Sequence, residues 1–127
     1  MSSLELGAEA ADPRTKMGTL YGLLDPAVGH FVWAVHFLVV YVATAVACVL
    51  GLGSASAAAR TAFLTALAVV TLATAALLVG HALRRYRQQR GVPEQQFRMS
   101  VTIGNDAIAT VGVLLQFFPI LLVPVCA

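Results

Sequence analysis

The side chains that could do chemistry in this 127-residue chain are few, and they stand in apolar surroundings. His30 and His36 open one hydrophobic run, HFVWAVHFLVVY. His81 closes a second, Asp106 enters a third, and Cys48 and Cys126 lie near the ends of the first and last. Histidines from two facing helices can ligate a haem iron, so His36 and His81, at similar depth, form one candidate cofactor pair for haem b. An imidazole near a carboxylate, here His36 with Asp106, could serve a quinone or carry a proton. The plainer reading of His36 is a neutral ring that bonds a backbone carbonyl or a Gln or Thr side chain between helices. Asp106 has its own plain reading, an acid at a helix N-terminus near the membrane surface, favoured there by the helix dipole.

The cysteines leave three alternatives. Thiolates suit Cu(I), but no CxxC or methionine cluster accompanies them. In an oxidising compartment Cys48 and Cys126 could form a disulfide, given Cα atoms within about 7 Å. Two unrelated buried thiols is the third reading. No hydrolase, kinase, dinucleotide or zinc motif appears, nor a glycine-rich phosphate loop. Connections too short for a soluble catalytic domain make catalysis by this chain alone unexpected.

Composition decides the class of fold that must position these residues. Hydrophobic residues make up 59% of the chain and charged residues 11%, against about 25% charged in soluble domains. The mean hydropathy is +0.84. A soluble core of this size could not hide so much apolar surface. Three stretches, 31–53, 61–83 and 101–123, are long enough for helices to cross a hydrocarbon core of about 30 Å. They are too long and too continuously apolar for barrel strands. The expected fold is an all-α membrane protein: a polar N-terminal segment, 1–29, followed by a three-helix transmembrane domain, 30–127.

The N-terminal MSSLELGAEAADPRTK mixes acids and bases without the apolar region of a signal peptide. Residues 1–16 are expected to be loosely attached. MGTLYGLLDPAVG reads as a short interfacial turn or helix, with Pro26 suited to the first turn of span one. Arg84, Arg85, Arg87, Arg90 and Arg98 lie between spans two and three, and Arg14 and Lys16 precede span one, whereas the first connection holds only Arg60. The positive-inside rule then puts the N-terminus in the cytoplasm and the C-terminus outside. HALRRYRQQR extends span two into water as far as the helix stop at Gly91 and Pro93. Its Arg84, Arg85, Arg87 and Arg90 are placed to meet lipid headgroups, and a basic cluster against a bilayer does not read as a nucleic-acid site.

Small residues recur along the helices at spacings that let another helix approach closely. Span one carries Gly29, Ala43 and Ala47 with His36 among them; span two carries Ala62, Ala66, Ala73, Ala76 and Gly80. On span three, Asn105, Ala109, Gly112, Gln116 and Pro119 share a face, with Gln116 near mid-membrane and expected to bond across to another helix. His30 and Trp33 suit the membrane interface, and Tyr41, deeper, needs a hydrogen-bond partner.

WAVHFLVVYVATAVAC in span one and QFFPILLVPVC at the C-terminus resemble small three-helix membrane proteins of proteobacteria encoded beside haem–copper terminal oxidases. The matching positions are Trp33, His36, Tyr41 and Cys48, then Pro119, Pro124 and Cys126; span two is similar only in character, and GNDAIAT departs from the pattern. The resemblance implies an accessory or assembly subunit of a cytochrome c oxidase in the bacterial inner membrane, with its C-terminus periplasmic. Its partners would be lipid and a larger membrane complex, and it implies no haem or copper bound by this chain itself. The rival expectations are a haem- or quinone-binding anchor and a copper-delivery helper.

Overall fold

The computed structural model describes Leu20, Gly22, residues 24–122 and Cys126; the expectation for residues 1–16 lies outside these. The described residues contain helices and no strand. Helix α1 spans Val28–Val49, α2 Ala57–Gln89 and α3 Gln96–Leu122, preceded by 3-10 turns at Asp25–Ala27, Leu52–Ser54 and Pro93–Gln95 respectively. With the turns that lead into α1 and α3, all three are long and apolar enough to cross a membrane. The protein is therefore an all-α, multi-pass membrane protein. α1 and α3 start at one end of the bundle, the near end, and α2 returns to it.

Helix boundaries follow local chemistry. Pro26 stands in the turn that enters α1, where its fixed φ fits and its missing N–H costs nothing. Gly51, at φ +82, takes the left-handed conformation that turns the chain toward α2. The Ser56 side chain accepts a hydrogen bond from the Ala59 N–H and caps α2. α2 runs on through the arginines to Gln89, and Gly91, at φ +94, ends it as expected.

Each helix buries one narrow seam. In α1 this is Gly29, His36, Val40 and Ala47; in α2 it is Leu67, Thr71, Ala75 and Leu78; in α3 it is Thr102, Asp106, Ala109 and Val113. Spacings of three, four and seven residues put each set on one face of a 3.6-residue helix. The α1 seam is the expected small-residue stripe, with Ala43 half-buried beside it. The α2 stripe is not. Ala62, Ala66, Ala73, Ala76 and Gly80 are all exposed, on the side opposite Leu67 and Leu78. Thr71 explains the choice of face, because only that side offers His36 a hydroxyl.

Leu78, Ala109 and Val113 form a packed apolar layer, with Val32 against them. At the far end Cys48 and Cys126 are joined in a disulfide, their Cα atoms 5.3 Å apart. Of the three alternatives for the cysteines, this is the one the structure adopts. Gly53 makes room for the bond, since a Cβ there would stand 3.1 Å from the Cys126 Cβ.

Candidate functional site

The polar groups of the seam gather in two tiers. The first is at the near end, level with Gly29, and is built from the turn before α1 and from α2 and α3. His81 and Arg85 are four residues apart on α2 and so share a face. From there His81 meets Asp106 of α3, Nδ1 to Oδ2, at 2.7 Å. A carboxylate only accepts, so the imidazole hydrogen sits on Nδ1 and donates to Asp106. The other ring nitrogen faces the Asp25 Oδ1 at 3.8 Å, too far for a hydrogen bond. Arg85 pairs directly with the same Asp25 oxygen. Asp106, at 1% exposed, and Asp25, at 7%, are both buried. The result is a chain Asp106–His81–Asp25–Arg85 that ties all three spans together.

Two further bonds hold the N-terminal turn in place. The Asn105 amide donates to the Pro26 carbonyl at 2.9 Å, and the Arg98 guanidinium to the Gly22 carbonyl at 2.7 Å. Both carbonyls lie near the start of α1, where α3 can reach them.

Gly29 permits this tier. A Cβ at Gly29 would come within 2.5 Å of Asp106 Oδ1 and 3.2 Å of the Asp106 Cα. The backbone contact cannot be relieved by a rotamer change. Gly29→Ala is therefore expected to push α1 off α3 and to cost about 1–3 kcal/mol, the range for overpacking. Thermal unfolding in detergent measures it; a loss below about 0.5 kcal/mol would mean the helices do not meet here this closely.

The second tier is deeper. His36 Nε2 lies 3.2 Å from the Thr71 hydroxyl, joining α1 to α2. This is the interhelical bond to a Thr side chain that suits a neutral buried imidazole. The Gln116 side chain of α3 comes up to the His36 ring, although the His36 Nδ1 and the Gln116 Oε1, both buried, fall short of good hydrogen-bond geometry. Gln116 thus reaches across to α1 at the depth expected of it.

The geometry separates the two histidines proposed as a haem or quinone pair. Thr71, which holds His36, and His81 are ten residues apart on α2, an axial distance of about 15 Å. Each ring is engaged by a different partner, so His36 and His81 do not converge on one iron. Nor does His36 pair with Asp106, whose partner is His81. Asp106 is shallow, as its sequence position implies, but it is an interior residue of α3 and not a helix N-terminal acid.

Other candidate residues fall as follows. His30 is exposed, consistent with an interface position. Trp33 packs over Gly112, where a Cβ would meet its Nε1 at 3.0 Å. Tyr41 faces outward, stacked on Phe37 with ring centroids 6.3 Å apart. Arg84, Arg87 and Arg90 are exposed, whereas Arg85, read from sequence as a headgroup ligand, is taken up by Asp25. Asp25 and the role of Arg85 were missed. The signal that could have found them is the His81–Arg85 spacing, which puts two basic side chains on one face at the depth of Asp25 and Asp106.

Among the described residues no group of three or more His, Cys, Asp or Glu is arranged to hold a metal ion. No family model, curated protein or solved structure matches the chain.

Proposed function

We propose that this chain is a small non-catalytic subunit of a larger membrane complex, acting by helix packing. The observation that carries the reading is the outer face of α2. Ala62, Ala66, Ala73, Ala76 and Gly80 are exposed along almost the whole span, while the seam that holds the bundle together lies on the opposite side. In lipid, small residues at this spacing favour close contact between helices rather than contact with acyl chains. The two polar tiers supply rigidity, since they hold the three spans in one arrangement that a partner can meet. The partner that the sequence resemblance favours is a respiratory haem–copper oxidase of a bacterial inner membrane.

The orientation belongs to the same proposal. Arg84, Arg85, Arg87, Arg90 and Arg98 lie at the near end, and the disulfide lies at the far end with Arg60. A cytoplasmic near end satisfies the positive-inside rule, and it puts the cysteines in the compartment where disulfides form.

The test is blue-native electrophoresis of native membranes that contain the tagged chain. Wild type is expected to comigrate with oxidase subunits. Ala73→Leu with Gly80→Leu, which roughens the outer face without touching the seam, is expected to release it. Migration of the wild-type chain away from every oxidase would end the oxidase reading. Unchanged comigration of the variant would move the contact to another face.

A further inference from the structure

A cavity of about 390 Å³ lies between α2 and α3. Leu78, Val79, Ala82, Leu83 and Tyr86 form its α2 wall; Ile103, Asp106, Ala107 and Thr110 form the other. Asp106 turns its carboxylate away from this wall, with Oδ2 bonded to His81 and Oδ1 against Gly29 of α1. The cleft is therefore an apolar slot with Tyr86 at its near-end mouth. From Leu78 to Tyr86 is eight residues, about 12 Å of helix. One leaflet of a hydrocarbon core about 30 Å thick is about 15 Å deep. The slot thus has nearly the depth of a single leaflet and starts at its surface.

The charge above the slot is placed by helix geometry. Arg90 stands one turn beyond Tyr86 and continues the cleft face toward water, and Arg87, one turn beyond Leu83, stands at the edge of that face. Both are exposed and neither forms an ion pair among the described residues. Arg84 is two residues from Tyr86 and projects from the opposite side of α2. Arg85 and Arg98 are engaged by Asp25 and by the Gly22 carbonyl. Sorting the arginines in this way leaves a cationic pair at the mouth of an acyl-sized slot, with a tyrosine at the level of the lipid headgroups.

We infer that this cleft seats one anionic phospholipid, an acyl chain between α2 and α3 and its phosphate at Arg87 and Arg90. Charge complementarity selects the ligand: two guanidinium groups favour an anionic headgroup over a zwitterionic one. The inference stands independently of which complex, if any, the outer face of α2 joins.

The experiment is native mass spectrometry of the full, disulfide-bonded chain released from micelles that contain phosphatidylglycerol and phosphatidylcholine with matched acyl chains. Wild type is expected to retain phosphatidylglycerol preferentially. Arg87→Gln with Arg90→Gln should lower that retention by about 30-fold, whereas Arg84→Gln should change it by less than about threefold. Ala107→Phe, which fills the slot and leaves every charge in place, should lower retention of both lipids. All four positions are exposed, and far-UV circular dichroism with an intact disulfide confirms folding of each variant. Equal losses for Arg84→Gln and the double variant would overturn the site in favour of a general basic surface. Wild-type retention in Ala107→Phe would reduce it to annular contact. A polypeptide found in the slot in place of lipid would overturn it too.

Discussion

Asp106→Ala is expected to cost about 3–5 kcal/mol of unfolding free energy, the largest effect of any single substitution in the bundle. The substitution strips His81 of its 2.7 Å partner and leaves the Asp25–Arg85 pair beside a displaced imidazole. Lipid offers no water to take over the lost bond. Asp106→Asn separates the charge from the hydrogen bond, because its amide oxygen can still accept from His81 Nδ1–H. It should lose about half as much, given that a hydrogen bond to a charged group contributes about 1.5–3 kcal/mol. Reversible unfolding in mixed micelles, followed by far-UV circular dichroism, gives both values. Equal small losses, below about 1 kcal/mol, would show that the near-end tier does not hold the helices together.

The second large effect is expected at the opposite end. Cys126→Ser removes the bond that links the end of α1 to the C-terminal tail across a sequence separation of 78 residues. Disulfides stabilise mainly by restricting the unfolded chain, typically by about 2–4 kcal/mol. The low end, about 2 kcal/mol, applies here, because spans that stay helical in the unfolded state have less freedom to lose. Cys48→Ser should give the same loss, and the double variant no more than either, since all three delete one bond. A double variant whose loss equals the sum of the two single losses would mean that the thiols act separately. Reduction of the wild type should reproduce the same decrease, and non-reducing electrophoresis reports whether the bond was present at the start.

Much of the architecture was legible because lipid leaves few choices. Apolar length located the three spans, and Gly91 marked where the extended α2 had to stop. The α1 face was legible because Gly29, His36, Ala43 and Ala47 are its small or polar residues at helical spacing, and a buried imidazole needs a partner. The α2 face was not. Alanine is so frequent there that a small-residue stripe can be drawn on the side away from the bundle, and the deciding residue, Thr71, matters only once His36 is opposite it. The Asp25–His81–Asp106–Arg85 chain was legible only in part. His81 and Arg85 share a face by spacing, but Asp25 looked like a turn residue and Asp106 like a helix-end acid until antiparallel packing brought them to one depth. The disulfide was open to sequence reasoning as a matter of sidedness, because the two thiols of a three-span chain at these positions must share a compartment. Contact between them needed the far-end turn and the space beside Gly53.

The apolar layer of Leu78, Ala109 and Val113, with Val32, separates the two polar tiers of the seam. The His81–Asp106 pair and the His36–Thr71 pair share no hydrogen-bond partner among the described residues. Beyond His36 the α1 seam continues as Val40 and Ala47, again apolar. Ionisable groups inside a bilayer are costly and stand where they pair with one another or face the bundle interior. Along the bundle axis the polar groups of the seam therefore form two separate islands, an ion-paired one at the near end and a hydrogen-bonded one in the middle, with apolar side chains stacked between and beyond them.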